Sequence, residues 1–242
     1  MYAELIDHMG TDLTVVNAAR CSFSAVSTEL SKKDIGLINF LARGCMKSDW
    51  DDALHEAAMF YDVTELEKIL KWAKNMPTHW SPFAHAMITM RETVPIFVAR
   101  QRFKHAVGFA YNEVSRRYVD DTPEFHVPES WRSRPVGGIK QGSAGTHLSN
   151  DYHRGNYAGF IEAAQSLYEN MIEDGVAPEQ ARMVLPQSML TTYWVTGSLY
   201  AWANAYIQRS DAHAQVEIQD MAKQWDKIIS PLFPHSWDAL VK

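Results

Sequence analysis

Between Val98 and Val119 the chain reads Val-Ala-Arg-Gln-Arg-Phe-Lys-His-Ala-Val-Gly-Phe-Ala-Tyr-Asn-Glu-Val-Ser-Arg-Arg-Tyr-Val, and no other run constrains the fold so strongly. Arg100, Arg102, Lys104, Arg116 and Arg117 face only one acid, Glu113, in a chain whose formal net charge is -6. Val98, Ala99, Phe103, Val107, Phe109 and Tyr111 are interleaved with them, so much of the segment is expected inside the protein, where a cation needs an anionic partner. The fold must pair these cations or bring them to an anionic ligand. A solvated helix face leading into a polar strand is the competing reading. The apolar neighbours favour a pocket for a small anion, and the acidic total argues against an extended nucleic-acid surface. Gln101, His105, Asn112 and Ser115 add neutral hydrogen-bonding groups.

A length of 242 residues suits one large domain, and we expect a single domain over 1–242. Hydrophobic and charged fractions of 46% and 21% are those of a globular chain. Cys21 and Cys45 are too few for a disulfide framework or a thiolate metal site. The start, Met-Tyr-Ala-Glu-Leu-Ile-Asp, lacks the basic and apolar pattern of a signal peptide, and no apolar run approaches a bilayer span. A cytoplasmic protein with no membrane partner is the expectation.

The expected fold class is mixed α/β, a central mixed or antiparallel sheet flanked by helices with a helical C-terminal third. Tyr2 to about Phe23 reads as two short strands around a turn at Gly10-Thr11, since Leu13, Val15 and Val16 are β-formers. Ser31-Lys-Lys-Asp34 and Thr64-Glu-Leu-Glu67 resemble capping boxes, each ahead of helical periodicity: Ile35, Ile38 and Leu41 after the first, Leu66, Ile69, Leu70 and Trp72 after the second. Ala86–Glu92 reads as a strand, Pro95 as a helix start, and Tyr111–Val119 as extended. A long excursion from 122 to about 155 holds Gly137, Gly138, Gly142 and Gly145. Phe160, Ala164, Leu167, Tyr168, Met171 and Ile172 form a helical stripe ending at Gly175. Pro178 opens a short helix carrying Arg182, and further helices are expected around 199–207 and 216–229.

No Gly-x-Gly-x-x-Gly, Walker-type loop or Gly-x-Ser-x-Gly elbow is present. The ten histidines show no zinc spacing backed by carboxylates, so no metal is expected. Arg182 and Arg209 stand alone in apolar helical surroundings. Each suits either a carboxylate partner, such as Asp211 for Arg209, or a phosphate or planar imide edge.

Arg-Gln-x-x-Lys-His-Ala106 followed by Tyr-Asn-Glu-Val-Ser-Arg-Arg-Tyr118 resembles the signature of the flavin-dependent thymidylate synthases, in which an Arg-His-Arg triplet precedes a Ser. The resemblance continues through Ala18-Ala-Arg-Cys-Ser-Phe23, Thr78-His-Trp-Ser-Pro-Phe-Ala-His85, Pro95-Ile-Phe-Val-Ala-Arg-Gln101, Phe125-His-Val-Pro-Glu-Ser-Trp-Arg132, Ala181-Arg-Met-Val-Leu-Pro186 and Arg209-Ser-Asp-Ala-His-Ala-Gln215. Together these blocks span most of the chain in order.

The resemblance implies methylation of dUMP at C5, with methylenetetrahydrofolate as carbon donor and NADPH reducing the enzyme through FAD. It implies a homotetramer with interfacial sites and small-molecule substrates, without nucleic acid. By motif position, Gln101, Lys104, Glu113, Val114, Ser115, Arg116, Arg117, Arg182 and Arg209 would hold dUMP, with Arg209 the catalytic cation beside the uracil ring. His79, Ser81, Lys104, His105, Glu113, Ser198, Tyr200 and Asn204 would hold FAD. The triplet departs from the family at Lys104 and Ala106, Ala84 stands where Glu is frequent, and Ser198-Leu-Tyr200 replaces Asn-x-Arg. Arg100 or Arg102 is the expected substitute for the lost flavin-phosphate cation. The alternatives are a related one-carbon transfer such as hydroxymethylation, or a non-catalytic nucleotide-binding protein that has lost flavin.

Overall fold

The computed structural model describes residues 1–43, 52, 55, 59, 64, 78–136 and 142–241. The helix expected over Leu66–Trp72, Gly137 and Gly138 of the excursion, and Cys45 lie outside these residues. Four strands, β1 (Tyr2–Met9), β2 (Met87–Pro95), β3 (Phe109–Glu113) and β4 (Leu190–Ser198), form an antiparallel sheet in the order β1-β2-β4-β3. Eight α-helices occur among the described residues: α1 (Asp12–Arg20), α2 (Lys32–Arg43), α3 (Ile96–Arg102), α4 (Asn150–Glu173), α5 (Pro178–Ala181), α6 (Leu199–Ser210), α7 (Val216–Ile229) and α8 (Pro234–Val241). The mixed α/β class is therefore as the sequence implied.

Chain contacts resolve into two units. The first takes Met1–Ile6, Thr89–Thr196 and Ala205–Trp225. Its sheet is held by alternation: Thr191, Tyr193 and Val195 of β4 point inward while Trp194 is half exposed. Hydroxyl pairs Thr89–Thr196 (2.9 Å) and Thr93–Thr192 (2.8 Å) join β2 to β4. Met90, Val94, Val98, Tyr168, Met221 and Trp225 are fully buried in this unit.

The second unit takes Asp7–Ile88, Gly197–Asn204 and Asp226–Lys242. Val15, Val16, Ile38, Phe83, Trp202, Phe233 and Trp237 are among its fully or nearly fully buried side chains. Buried Asp12 accepts the backbone amides of His235 and Ser236, both at 2.9 Å, at the start of α8, where a carboxylate complements the helix dipole. The capping box at Ser31 forms as expected: the Ser31 amide donates to Asp34 Oδ2 (3.0 Å), and the Asp34 amide to Ser31 Oγ (3.2 Å).

Several expectations are corrected. Asp12–Arg20 is a helix and not a second strand. Gly10 turns the chain at φ +88°, the Thr11 amide donates to Thr14 Oγ1 (3.0 Å) as a helix cap, and Asp12, Val15 and Val16 are buried at helical spacing, which overrides their β propensity. The last third is not wholly helical, because β4 precedes α6 with no loop between them. The excursion ends at Ser149, and Gly155 lies within α4. Of the apolar stripe on α4, Ala164 and Tyr168 are buried, whereas Phe160 and Leu167 are about half exposed. Extended structure stops at Glu113, and residues 116–118 form a turn. Arg182 follows α5 in a short 3-10 turn.

Candidate active site

The end of β3 and the turn after it build a cation-lined cavity in the first unit. The Val114 amide donates to Thr192 of β4 at 2.9 Å, and the Ser115 carbonyl accepts the amides of Tyr118 and Val119, so the chain folds back immediately after the strand. That turn carries Arg116 and Arg117 into a cavity of ≈ 690 Å³ with Glu113, Val114 and Ser115, and Arg182 enters it from beyond α5. Arg116 pairs with Asp121 at 2.8 Å. Arg117 approaches Ser115 Oγ at 3.4 Å, and Arg182 Nε donates to the Glu179 carbonyl at 3.2 Å. Among the described residues neither Arg117 nor Arg182 has a carboxylate partner, which leaves two exposed guanidinium forks available to an anion. Thr191 Oγ1 donates to Glu113 Oε1 (2.7 Å), fixing one of the three acids of the cavity, the others being Asp121 and Glu124. β4, which the sequence reading missed, supplies Leu190, Thr191 and Thr192 to this cavity.

Gln101 and Arg209 line a different cavity, ≈ 640 Å³, with Arg132, His213 and Gln215. Arg209 donates its Nε–H to His105 Nε2 at 2.8 Å and an NH2 proton to the Gln101 carbonyl at 2.9 Å; Gln101 Nε2 donates to Gln215 Oε1 at 2.7 Å. Asp211 hydrogen-bonds His213 and is not the partner of Arg209. Burial first, then the positive fields of Arg209 and Arg102, hold the His105 pKa down to about 4, so the ring is a neutral acceptor with its proton on Nδ1. Burial, with Arg102 adding to it, also lowers Arg209 from its ordinary value. Arg132 was not singled out from the sequence, although its block, Phe125–Arg132, was.

Arg102 does not serve as a substitute flavin-phosphate cation. It is fully buried, 3.4 Å from the equally buried Glu92, and its guanidinium carbon lies 4.3 Å from the Phe109 ring centroid and 4.8 Å from that of Trp225. Tyr193 donates to Glu92 at 2.5 Å, and burial together with that carboxylate pushes the phenol well above its usual range. Arg102 NH1 donates to Tyr111 OH at 2.6 Å, and Tyr111 OH donates to the His105 carbonyl at 2.8 Å. Burial pushes Tyr111 up to about 12, so it remains a donor. Lys104 is exposed, as are Ala106 and Arg100.

The second unit holds the remaining flavin expectations. His79 and Ser81 share a cavity of ≈ 770 Å³ with Arg20, Phe23 and Phe40. The His79 and Phe40 rings stack at 5.6 Å and 21°, and Trp80 approaches Tyr200 at 5.8 Å. Ser198 Oγ accepts the Ala201 amide (3.2 Å) in the first turn of α6, and Asn204 is exposed on that helix. Arg20 is anchored by Asp34, whose carboxyl is held far below the usual range mainly by Ser31, against the effect of burial.

Among the described residues no group of three or more His, Cys, Asp or Glu is placed to hold a metal ion, and no helix is long and apolar enough to cross a membrane.

A family model described as "Thymidylate synthase complementing protein" matches residues 4–235. Relatives include the flavin-dependent thymidylate synthase of Thermotoga neapolitana, 30% identical over 100% of this chain and 91% of that protein. The enzyme of the same name from Kosmotoga olearia is 34% identical over 99% of this chain and 90% of its own length. Among solved structures, the UMP/dUMP methylase PolB of Streptomyces cacaoi bound with 5-Br UMP superposes with a TM-score of 0.75 at 26% identity, covering 98% of this chain and 92% of that one. The match from residue 4 to 235 and the full-length relatives at 30% identity or above lead to one conclusion: this chain is an enzyme of the flavin-dependent thymidylate synthase family.

Proposed function

We propose that this enzyme methylates dUMP at C5 to give dTMP, taking the carbon from methylenetetrahydrofolate and the reducing equivalents from NADPH through FAD. The observation that carries the reading is the convergence of Arg116, Arg117 and Arg182 with Ser115 on one cavity. Three guanidinium groups, two without carboxylates, match the charge of a phosphate monoester. Arg209 takes the uracil edge. A cation held beside the pyrimidine carbonyls stabilises negative charge developing on the ring and makes C5 a better nucleophile. Because Gln101 and Arg209 occupy a separate cavity within one chain, a nucleotide served by both sets draws them from two copies, in keeping with a homotetramer.

The residues present fit a flavin. Within the second unit, Ser81 and the stacked His79–Phe40 pair line a cavity suited to a flat ring system; within the first, Lys104 and the neutral His105 offer one charge and hydrogen bonds. Lys104, His105, Glu113, His79, Ser81, Ser198, Tyr200 and Asn204 would hold it. When bound, the flavin supplies the electron pair that reduces the transferred carbon to a methyl group. Arg102 plays no part in holding its phosphates, since its charge is spent on Glu92.

The test is to purify the protein, record its flavin absorbance, and incubate it with dUMP or UMP, methylenetetrahydrofolate, NADPH and FAD. Yellow protein and a product with the mass of dTMP support the proposal. A hydroxymethyl product mass would redirect it to the related transfer, and colourless protein that binds dUMP without converting it would end the catalytic reading. The UMP arm is included because PolB is a methylase of both nucleotides.

A further inference from the structure

Arg209 is oriented by the chain itself. It lies in the last turn of α6, and its planar guanidinium groups its N–H donors into a side fork, Nε with Nη2, and an end fork, Nη1 with Nη2. Nε donates to His105 Nε2 at 2.8 Å and Nη2 to the Gln101 carbonyl at 2.9 Å, so the side fork is fully engaged. Nη1 makes no hydrogen bond among the described residues. The end fork is therefore what remains for a ligand in the cavity that Arg209 lines with His213 and Gln215.

The acceptor on His105 is held from the core. α3 ends at Arg102, the His105 amide donates to the Arg102 carbonyl at 3.1 Å, and Gly108, at φ +77°, turns the chain into β3. That reversal brings Tyr111 of β3 back against the turn. Its hydroxyl donates to the His105 carbonyl at 2.8 Å, accepts from Arg102 Nη1 at 2.6 Å and lies 3.2 Å from the Arg102 carbonyl. Arg102 is anchored in turn by the equally buried Glu92, a carboxylate that also accepts from Tyr193. The series Glu92–Arg102–Tyr111–His105–Arg209 thus ties β2, α3, β3 and α6 together by direct contacts, all within the first unit. Its last link needs a neutral imidazole, since an imidazolium has no lone pair to offer. Burial and the two guanidinium groups keep His105 in that form at neutral pH.

We propose that Tyr111 and His105 are positioning residues for Arg209: the Tyr111 hydroxyl fixes the His105 backbone, His105 Nε2 and the Gln101 carbonyl hold the side fork, and the end fork is thereby presented to the pyrimidine. This role rests on Arg209 being the cation at the uracil ring, and adds what fixes its direction. A long, freely rotating arginine would lose rotamer entropy each time it met the ring, whereas one clamped from behind has lost it on folding. The clamp uses only Nε2 of His105, so Nδ1–H stays available to a flavin.

Two measurements on the purified full-length protein test this with H105L, H105Q, Y111F, R209K and H105L/R209K, each checked by thermal melt and by flavin absorbance at saturating FAD. The first needs no substrate: TROSY spectra of isotopically labelled protein, in which the Arg209 Nε–H is the cross-peak missing from R209K. Its exchange with solvent should be slow in wild type and in H105Q, which keeps a side-chain acceptor, and about tenfold or more faster in H105L and in Y111F. The second is turnover. H105L and Y111F should each lower kcat about tenfold with KM for dUMP within about twofold, while H105L costs nothing further in R209K, which keeps the charge and has no fork. Should H105L fail to fold or to load flavin, Y111F and H105Q decide. Fast exchange of the Arg209 Nε–H in wild type, Y111F behaving as wild type, or an equal fold-loss from H105L with and without R209K overturns the proposal. Slow exchange as expected together with full turnover in R209K would instead count against Arg209 at the uracil ring, and so against the functional reading, while the clamp stands.

Discussion

Arg209 donates to His105 Nε2 at 2.8 Å, a hydrogen bond that exists only while the imidazole is neutral. The same histidine offers its carbonyl to Tyr111, whose hydroxyl also accepts from the buried Arg102, so a surface-facing segment is tied to the core ion pair through one phenol. The Lys104-His105-Ala106 segment is thereby fixed on one side by a buried network and on the other by Arg209.

A dependence of stability on pH follows. The folded pKa of His105, about 4, lies below the 6.5 of an unperturbed histidine, so between these values the unfolded chain binds more protons than the folded one. Stability from this site is fully present above about pH 6.5 and declines as pH falls toward 4. The full shift corresponds to about 3 kcal/mol, and solvent screening of a partly exposed ring reduces that to about 1–2 kcal/mol. Urea unfolding of wild type and H105N at pH 4.5, 5.5, 6.5 and 7.5 checks this. The wild type should lose more stability on acidification than the variant, and parallel slopes would refute it.

Removing either member of the Glu92–Arg102 pair leaves a charge buried without its partner. R102M and E92M should each cost about 3–5 kcal/mol, whereas E92M/R102M should lose much less than their sum. Thermal melts of the singles and the double close this cycle. Additivity would mean that the two side chains are not energetically coupled. If R102M remains folded, it should retain flavin as wild type does, because Arg102 lies inside the core and not at a phosphate.

What the sequence made legible follows the range of the interaction that fixes it. The cap at Ser31–Asp34 and the helix start at Pro95 depend on residues within one turn, and both form as read. β4 escaped notice because it runs directly into α6 with only Gly197 as punctuation, so its alternation of Thr191, Tyr193 and Val195 is masked by the helical pattern that follows. Arg102 shows a second limit. Its apolar neighbours announced burial, but whether its partner would be a ligand or Glu92 was decided by strand β2, which the run itself does not contain. The order of motif blocks identified the family, yet it carried no information on which arginines share a cavity. That separation of Arg209 from Arg117 and Arg182 became visible only in three dimensions.

The phosphate assignment predicts a selective loss. R117A and R182A should each weaken dUMP binding by about 10- to 100-fold, the range for a charge-assisted hydrogen bond of about 1.5–3 kcal/mol. Deoxyuridine, which lacks the phosphate, should bind each variant as it binds wild type. Isothermal titration with both ligands separates the cases. An equal loss for nucleoside and nucleotide would move these arginines away from the phosphate.

If one active site takes Arg182 from one copy of the chain and Arg209 from another, two inactive variants can rescue each other. R182A and R209A should each be nearly inactive alone, because one lacks phosphate recognition and the other the cation at the uracil ring. Co-expressed with different affinity tags and purified through both, the mixed assembly contains some sites built from an intact Arg182 and an intact Arg209. Those sites should restore a substantial fraction of wild-type turnover, while sites carrying both substitutions stay silent. Sites made entirely within one chain would give no recovery at any mixing ratio, since every site would then lack one of the two cations. Flavin absorbance per chain, measured on the same samples, confirms that the mixed assembly is loaded, so an absence of rescue would speak to the geometry of the site and not to loss of cofactor.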